Sequence, residues 1–501
     1  MTENIVEILF QNAEKYPQKI AIIHKNNKIN YEDLAKDVKK YASYFIEKGL
    51  QKDDKVLIFV PMSIELYKIL CAVFYIGAVA VFVDAWADKK RLNQAITIAK
   101  CKAFIGCPKA FILKLLSKKI RAVPLNFISG LEKFIPKSNN PKIEPFDKQN
   151  TALITFTTGS TGLPKAAKRT HEFLLEQHFV LKNHMKPCEN DIDLTSLPIF
   201  VLHNLACAIT SVIPDFNPQK PANINPKKIL KDIQKHKITT SVGSPRFYEK
   251  LADIGQIKEL KKIFLGGAPV FPKLAQKLQN AFPNTIVEIV YGSTEAEPIS
   301  SITTKDLLNF DGNLNNGLLV GTPCEQINLK IIKPVNAPVI ENQFPKLWLQ
   351  NNEIGEICVE GKHVLKEYFN SEEAQNFTKI KYNNQIWHRT GDAGYIDNEG
   401  RLFLMGRVNN CFEYKGNTYY VFPTENSLLE IEGIEIGTIL LHENKIILVI
   451  ELKNNSNLEK IKENIKLKNI LHDEIIIKNK IPRDPRHNSK IDYDRLKKQL
   501  F

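Results

Sequence analysis

At 501 residues, with 43% hydrophobic, 9% aromatic and 25% charged side chains, the chain is too long for one hydrophobic core and too apolar to be disordered. Lys and Arg outnumber Asp and Glu by 69 to 55, a net charge of +14. These cations are mostly Lys, spread among abundant Asn and Ile with no recognition motif beside them, which argues against a nucleic-acid role.

In chain order, the first residues, Met1-Thr2-Glu3-Asn4-Ile5-Val6-Glu7, carry early acids and no signal-type apolar core. A cytoplasmic protein is expected, and eight cysteines without a CxxC pair or a zinc-spaced His cluster fit reduced thiols there. Strands are predicted at Lys55 to Val60 and Ala103 to Ile105. The longest apolar run, Ile69 to Val83, is shorter than the roughly 20 residues a membrane-spanning helix needs, and Gly77 splits it. It reads as the end of a buried helix, Leu66 to Tyr75, a turn, and a strand from Val79 to Val83 stopped by Asp84, so no transmembrane segment is expected. Pro136 to Lys142 reads as an exposed connection.

Beyond residue 140, β-branched runs at Ala152 to Phe156, Ile238 to Val242, Lys262 to Leu265 and Ile286 to Val290 alternate with helices at Pro226 to His236, Pro245 to Ala252 and Pro272 to Ala281. That alternation predicts an α/β fold with doubly wound, largely parallel sheets, one before about residue 135 and one after it. Past Gly355, short strands at Ile357 to Val359 and Arg401 to Met405 predict a small antiparallel subdomain. A last α+β domain follows from about Asn409, with strands at Ile446 to Leu452 and Glu474 to Lys478.

The strand ending at Phe156 runs into Thr157-Thr158-Gly159-Ser160-Thr161-Gly162-Leu163-Pro164-Lys165. Hydroxyls and backbone N–H groups there can bind phosphate oxygens, glycines let the backbone approach, and Lys165 ends the loop with a cation. It is not a Walker loop, because Pro164 stands where the second glycine belongs and Ala166 follows the lysine.

This loop resembles the phosphate-binding signature of the adenylate-forming superfamily of acyl-CoA synthetases, luciferases and peptide-synthetase adenylation domains. Further segments resemble that family in the same order: Gly266-Gly267-Ala268-Pro269, Tyr291-Gly292-Ser293-Thr294-Glu295, Arg389-Thr390-Gly391-Asp392, Gly406-Arg407 and Asn488-Ser489-Lys490-Ile491-Asp492. The resemblance implies that Gly266, Gly267 and Ala268 line the adenine, that Tyr291 stacks on it and that Gly292 belongs to the same segment. Thr294 would bond the α-phosphate, Glu295 would hold Mg²⁺, and Asp392 with Arg407 would take the ribose. Lys490 would bridge the substrate carboxylate and the α-phosphate, delivered by a mobile domain of residues 408–501 that turns about Asn409 against a large domain of residues 1–407.

The implied reaction is ATP- and Mg²⁺-dependent conversion of a carboxylic acid to acyl-AMP with release of pyrophosphate, followed by transfer to a thiol, CoA or the phosphopantetheine of an acyl carrier protein. After the hinge, Phe412-Glu413-Tyr414-Lys415-Gly416 places Glu413 where CoA ligases of the family commonly carry a lysine. Val212-Ile213-Pro214-Asp215, Gly243-Ser244-Pro245, Pro298 and Pro485 to Ile491 resemble instead the β-lactone synthetase branch, which closes a 3-hydroxy acid on itself without CoA. Loading of a carrier protein and an inactive nucleotide-binding scaffold remain as alternatives. The region Leu197 to Asn204 lacks the aspartate that holds an amino group in amino-acid adenylation domains, so a fatty or hydroxy-fatty acid is expected. His203 is the candidate pocket histidine.

Overall fold

The computed structural model describes residues 4–83, 89–130, 135, 147–158, 164–217, 223–313, 316–484 and 489–501, without the side chains of 157, 158 and 164. Nine strands among these form the largest sheet. Six run parallel, in the order Ile286–Ser293, Lys262–Gly266, Thr240–Gly243, Ile192–Thr195, Thr210–Ile213 and Ile20–His24. Antiparallel strands close both edges: Asn27–Asn30 on one side, Ala296–Thr303 and Thr322–Pro323 on the other. A second sheet has the order Leu125–Ile128, Ala103–Gly106, Lys55–Phe59, Val79–Phe82, Thr151–Thr158 and Pro164–Thr170, parallel except for its last strand.

These strands form because their β-branched and aromatic runs are covered by helices on both faces. The helix Ile64–Tyr75 is buried from Leu66 to Tyr75 and apolar over that length except for Lys68, which pairs with Asp37 at 2.6 Å; it is capped by Ser63, whose Oγ accepts from the Leu66 N–H at 3.3 Å. It stops before Gly77, which lies at φ +67°, and the chain enters Val79–Phe82 as expected. Asp84 and the connection of Pro136 to Lys142 lie outside the described residues.

The two sheets do not divide near residue 140. Ile20–His24 and Asn27–Asn30 join the sheet of the later strands, whereas Thr151–Thr158 and Pro164–Thr170 complete the sheet of the earlier ones. Pairing across the sequence decides membership here, and alternation along it cannot report that.

A third, antiparallel sheet carries Leu318–Leu319, Leu402–Arg407, Gln385–Ile396, Gly355–Glu360 and Asn328–Ile332, with Lys379–Tyr382 paired to Gln385–Ile396. From Phe412 onward the chain builds a hairpin, Phe412–Tyr414 with Asn417–Tyr419, and a three-stranded sheet of Ile434–His442, Lys445–Leu452 and Glu474–Lys478. Its apolar residues cluster separately, around Leu428, Ile446, Leu448 and Ile461 and around Leu440, Val449 and Leu496. Contact with the larger body includes Phe422, whose ring lies edge-on to Phe271 at 5.7 Å. Among the described residues no helix is long and apolar enough to cross a membrane.

Candidate active site

Parallel strands bring their carboxyl ends to one side, where the backbone turns away and leaves a crevice. Lys262–Gly266 and Ile286–Ser293 are adjacent there. A Cβ at Gly266 would lie 2.8 Å from the Val290 carbonyl, and one at Gly292 equally close to that of Ala296. Glycine therefore lets these two strand ends pack against their neighbours, and Gly267, at φ +89°, turns the chain away toward Ala268.

The third sheet contributes through a bulge. Glu356 faces Ala393 while Cys358 faces Arg389, so Thr390, Gly391 and Asp392 occupy extra length on their strand. Gly391 sits at φ +72°, and Thr390 Oγ1 locks the bulge by donating to the Ile357 carbonyl at 2.9 Å and accepting from the Asp392 N–H at 3.0 Å. The Asp392 carboxylate then accepts from the Tyr291 hydroxyl at 2.8 Å and from Arg407 Nη1 at 2.8 Å. Arg407 Nη1 also donates to the Thr390 carbonyl at 3.1 Å. Burial and the Asp392 charge hold the Tyr291 hydroxyl far above its usual range, so it stays a donor.

A second group lies around Glu295. Its carboxylate accepts from the Tyr368 hydroxyl at 2.9 Å, and its carbonyl takes the Leu365 N–H at 2.7 Å. Lys165 Nζ lies 6.0 Å from the Tyr368 ring centre and Lys379 Nζ 5.2 Å. Burial lowers the Lys165 ammonium, opposed by the Glu295 charge. Fully buried Lys379 donates to the Leu365 carbonyl; burial brings it down to about 7, Glu295 opposing and Lys165 assisting. The Thr294 carbonyl accepts from Arg169 Nη2 at 3.0 Å. Neither Tyr368, Lys379 nor Arg169 was singled out from the sequence, since a tyrosine and two lysines or arginines outside any motif look like ordinary surface residues there.

Arg389 points the other way. It donates to Glu356 through Nε at 2.9 Å and Nη2 at 2.7 Å, and to the carbonyls of Val335, Ala337 and Phe377, with both side chains of the pair only 3% and 4% exposed. Glu356 also accepts from the Gly391 N–H at 3.2 Å. This pair supports the bulge from behind.

Lys165 and Asn409 line one cavity of about 1,100 Å³ together with Lys89, Asn336, Ser371 and Phe377. Of the residues assembled around Asp392 and Glu295, Lys165 alone reaches its wall. Lys490 is exposed beyond the strand Glu474–Lys478, its backbone tied to Asp484: the Lys490 N–H donates to Oδ1 at 3.0 Å, and the Asp484 N–H to the Lys490 carbonyl at 2.8 Å. Gly159, Ser160, Thr161 and Gly162 lie outside the described residues, as do the side chains of Thr157 and Thr158, whose backbone ends the strand Thr151–Thr158. The pairing Thr157 to Lys165 and Thr158 to Pro164 shows that the loop springs from a hairpin, with Lys165 in its returning strand.

A narrow apolar pocket of about 20 Å³ lies between the helices His171–Met185 and Pro198–Ala206, walled by Leu181, Met185, Phe200, Val242 and Phe264 and reaching Gly266. His203 is buried one turn beyond Phe200, outside that lining: its Nδ1 faces His178 Nδ1 at 3.1 Å and its Nε2 faces Cys207 Sγ at 3.5 Å. The three side chains line up as a chain of polar contacts, and one ligating atom from each lies within 4.8 Å of the others. Burial lowers His203 to about 3 and His178 to about 4, so both are neutral.

His184, on the pocket wall, lies 2.9 Å from Glu288, which also accepts from Ser301 Oγ at 2.6 Å. Burial pulls its pKa down, but bonding to Cys324 and Glu288 outweighs that and raises it to about 9. The folded state therefore holds this proton more tightly than the unfolded chain. The resulting stability is complete below the unfolded value near 6.5 and is lost as pH rises through about 9. Urea midpoints measured from pH 6 to 9.5 should fall by the equivalent of about 3 kcal/mol, and His184→Gln should flatten that limb.

The AMP-binding enzyme family matches residues 9–369. An olefin β-lactone synthetase of Stenotrophomonas maltophilia is 29% identical over 414 residues, 78% of this chain and 74% of the relative. A 2-succinylbenzoate–CoA ligase of Oceanobacillus iheyensis is 27% identical over 441 residues, 87% of this chain and 86% of the relative. Among solved structures, ATP-bound MatB of Rhodopseudomonas palustris superposes with a TM-score of 0.84 at 18% identity, covering 100% of this chain and 99% of that one, which shows a shared fold.

Proposed function

The chain belongs to the AMP-binding enzyme family, and from that premise we propose that it activates an uncharged fatty or 3-hydroxy-fatty acid as its acyl-AMP and then closes the acyl group on the acid's own 3-hydroxyl. Members use ATP to form adenylates. The observation that carries this step to particular residues is the convergence of Tyr291, Asp392 and Arg407 beside Glu295 and Lys165. Tyr291, its ring fixed through its hydroxyl, faces adenine, and Asp392 takes the ribose hydroxyls with Arg407 beside it. Lys165 neutralises phosphate charge, and Thr294 bonds the α-phosphate.

Glu295 fits a divalent cation: its carboxylate oxygens are hard donors, held by one hydrogen bond from Tyr368. Bound there, Mg²⁺ supplies neutralisation of the phosphate oxygens. The acid's carboxylate oxygen attacks the α-phosphorus, pyrophosphate leaves, and Lys490 stabilises the charge between them. Residues 408–501 act as the lid that delivers Lys490, with Asn409 at the hinge.

In the second step the 3-hydroxyl oxygen attacks the acyl carbon, the acyl–phosphate bond breaks, AMP leaves and the hydroxyl proton passes to solvent. Two observations support closure over thiol transfer: the 29% identity to a β-lactone synthetase, and Glu413, an exposed carboxylate bonded to Thr418 across the hairpin. Transfer to CoA or a carrier phosphopantetheine is the second reading, favoured by the CoA ligase relative and by Lys415 in the same hairpin turn.

Products of a 3-hydroxy-fatty acid with ATP, analysed with and without CoA, separate the two. A neutral lactone formed without thiol is the expected result, unchanged in rate within about twofold by Glu413→Lys as an exposed substitution. Acyl-CoA as the sole product, with turnover stopping at acyl-AMP when CoA is withheld, overturns it.

A further inference from the structure

The net charge is not evenly spread after all. Residues 89–131 contain ten Lys and Arg and no Asp or Glu, so this one stretch supplies a charge of +10 out of the chain's +14. Its middle connects the strands Ala103–Gly106 and Leu125–Ile128 at the outer edge of the second sheet, through a turn at Pro108–Phe111 and two short helices, Ile112–Leu116 and Lys118–Arg121.

This connection turns its apolar side outward. Leu115 is 75% exposed, Ile112 58% and Leu116 57%, and Ile128 on the edge strand is exposed beside them in sequence order. The exposure is built in and not the result of fraying. Ser117 Oγ accepts from the Ile120 N–H and donates to Asn93 Oδ1 at 2.6 Å, and Arg121 donates to the carbonyls of Lys114 and Leu115 at 3.2 Å, fixing the end of the first helix. Ile120, facing inward, is fully buried. The same connection carries Lys109, Lys114, Lys118, Lys119 and Arg121, and none of the five pairs with a carboxylate among the described residues.

We infer that this connection docks the enzyme on the surface of an anionic lipid bilayer, with Ile112, Leu115 and Leu116 entering the headgroup boundary and the five cations facing lipid phosphates. Aliphatic side chains held outward on a connection that carries five cations and no acid match what an interfacial anchor needs: buried apolar area plus attraction to anionic headgroups. A nucleic acid would reward the cations but not the leucines, which offer neither hydrogen bonds nor a stacking face. A twofold dimer through this face would set its cations against those of its own copy. The docking is independent of which acid the active site takes.

Flotation of the full-length protein with vesicles of phosphatidylcholine alone, and with phosphatidylglycerol added, tests it. Binding is expected to the anionic vesicles only and to weaken with salt. Lys118→Gln with Lys119→Gln should lower the partition by about thirtyfold, and Leu115→Ser with Leu116→Ser should lower it while both variants keep wild-type pyrophosphate exchange. Absence of binding to anionic vesicles, or equal binding to neutral ones, overturns the inference. So does a concentration-dependent dimer that the leucine variant breaks in the absence of any vesicle binding.

Discussion

Lys490→Ala lowers acid-dependent ATP–pyrophosphate exchange by about 10²- to 10³-fold, the range found when one preorganised donor to a developing charge is removed, while ATP affinity changes by no more than a few-fold. The expectation rests on how the residue is held. Its backbone closes a short loop through both bonds to Asp484, and the Asp492 N–H donates to the Pro482 carbonyl at 2.9 Å. The loop is then tied to the strand Lys445–Leu452, where Glu451 accepts from the Ile481 N–H at 2.7 Å and from Arg483 at 3.3 Å. The thermal midpoint of the variant, measured beside that of the wild type, separates the two causes of a lost rate: with the midpoint unchanged, the loss reports on chemistry and not on folding. Exchange left undiminished, with a chain that still binds ATP, would remove Lys490 from the reaction.

Most elements were legible because their signals are local. The helices Pro226–His236 and Pro272–Ala281 begin at a proline in the first turn, and the strands Lys262–Gly266 and Glu474–Lys478 are short β-branched runs between breakers, so their limits agree with expectation to within a residue. The candidate residues Tyr291, Asp392 and Arg407 are legible as segments, and three strands from two sheets bring their side chains into contact. What the sequence concealed is non-local. That Thr151–Thr158 pairs with Val79–Phe82 while Ile20–His24 pairs with Thr210–Ile213 depends on chain crossings that leave no periodicity. Tyr368 and Lys379 reach Glu295 from segments with no motif of their own. The concentration of charge in residues 89–131, by contrast, lies open in the sequence and disappears only when charge is averaged over the whole chain.

Arg389 is the position where motif and structure divide most sharply, and Arg389→Ala should destabilise the protein by about 3–5 kcal/mol, the cost of stripping one partner from a buried ion pair. The change leaves the Glu356 carboxylate buried without its guanidinium and bares the carbonyls of Val335, Ala337 and Phe377. Thermal melts should show the loss directly. A second measurement separates packing from function. Replacing both partners, Arg389→Met with Glu356→Leu, removes the unpaired charge and should recover a large part of the stability, since a buried pair exchanged for apolar side chains of similar volume is often neutral. ATP affinity should not recover with it, because Glu356 also accepts the Gly391 N–H and so holds the bulge from which Asp392 reaches Tyr291 and Arg407. If the double variant binds ATP as the wild type does, the bulge stands on Thr390 alone, and the ion pair serves only the core.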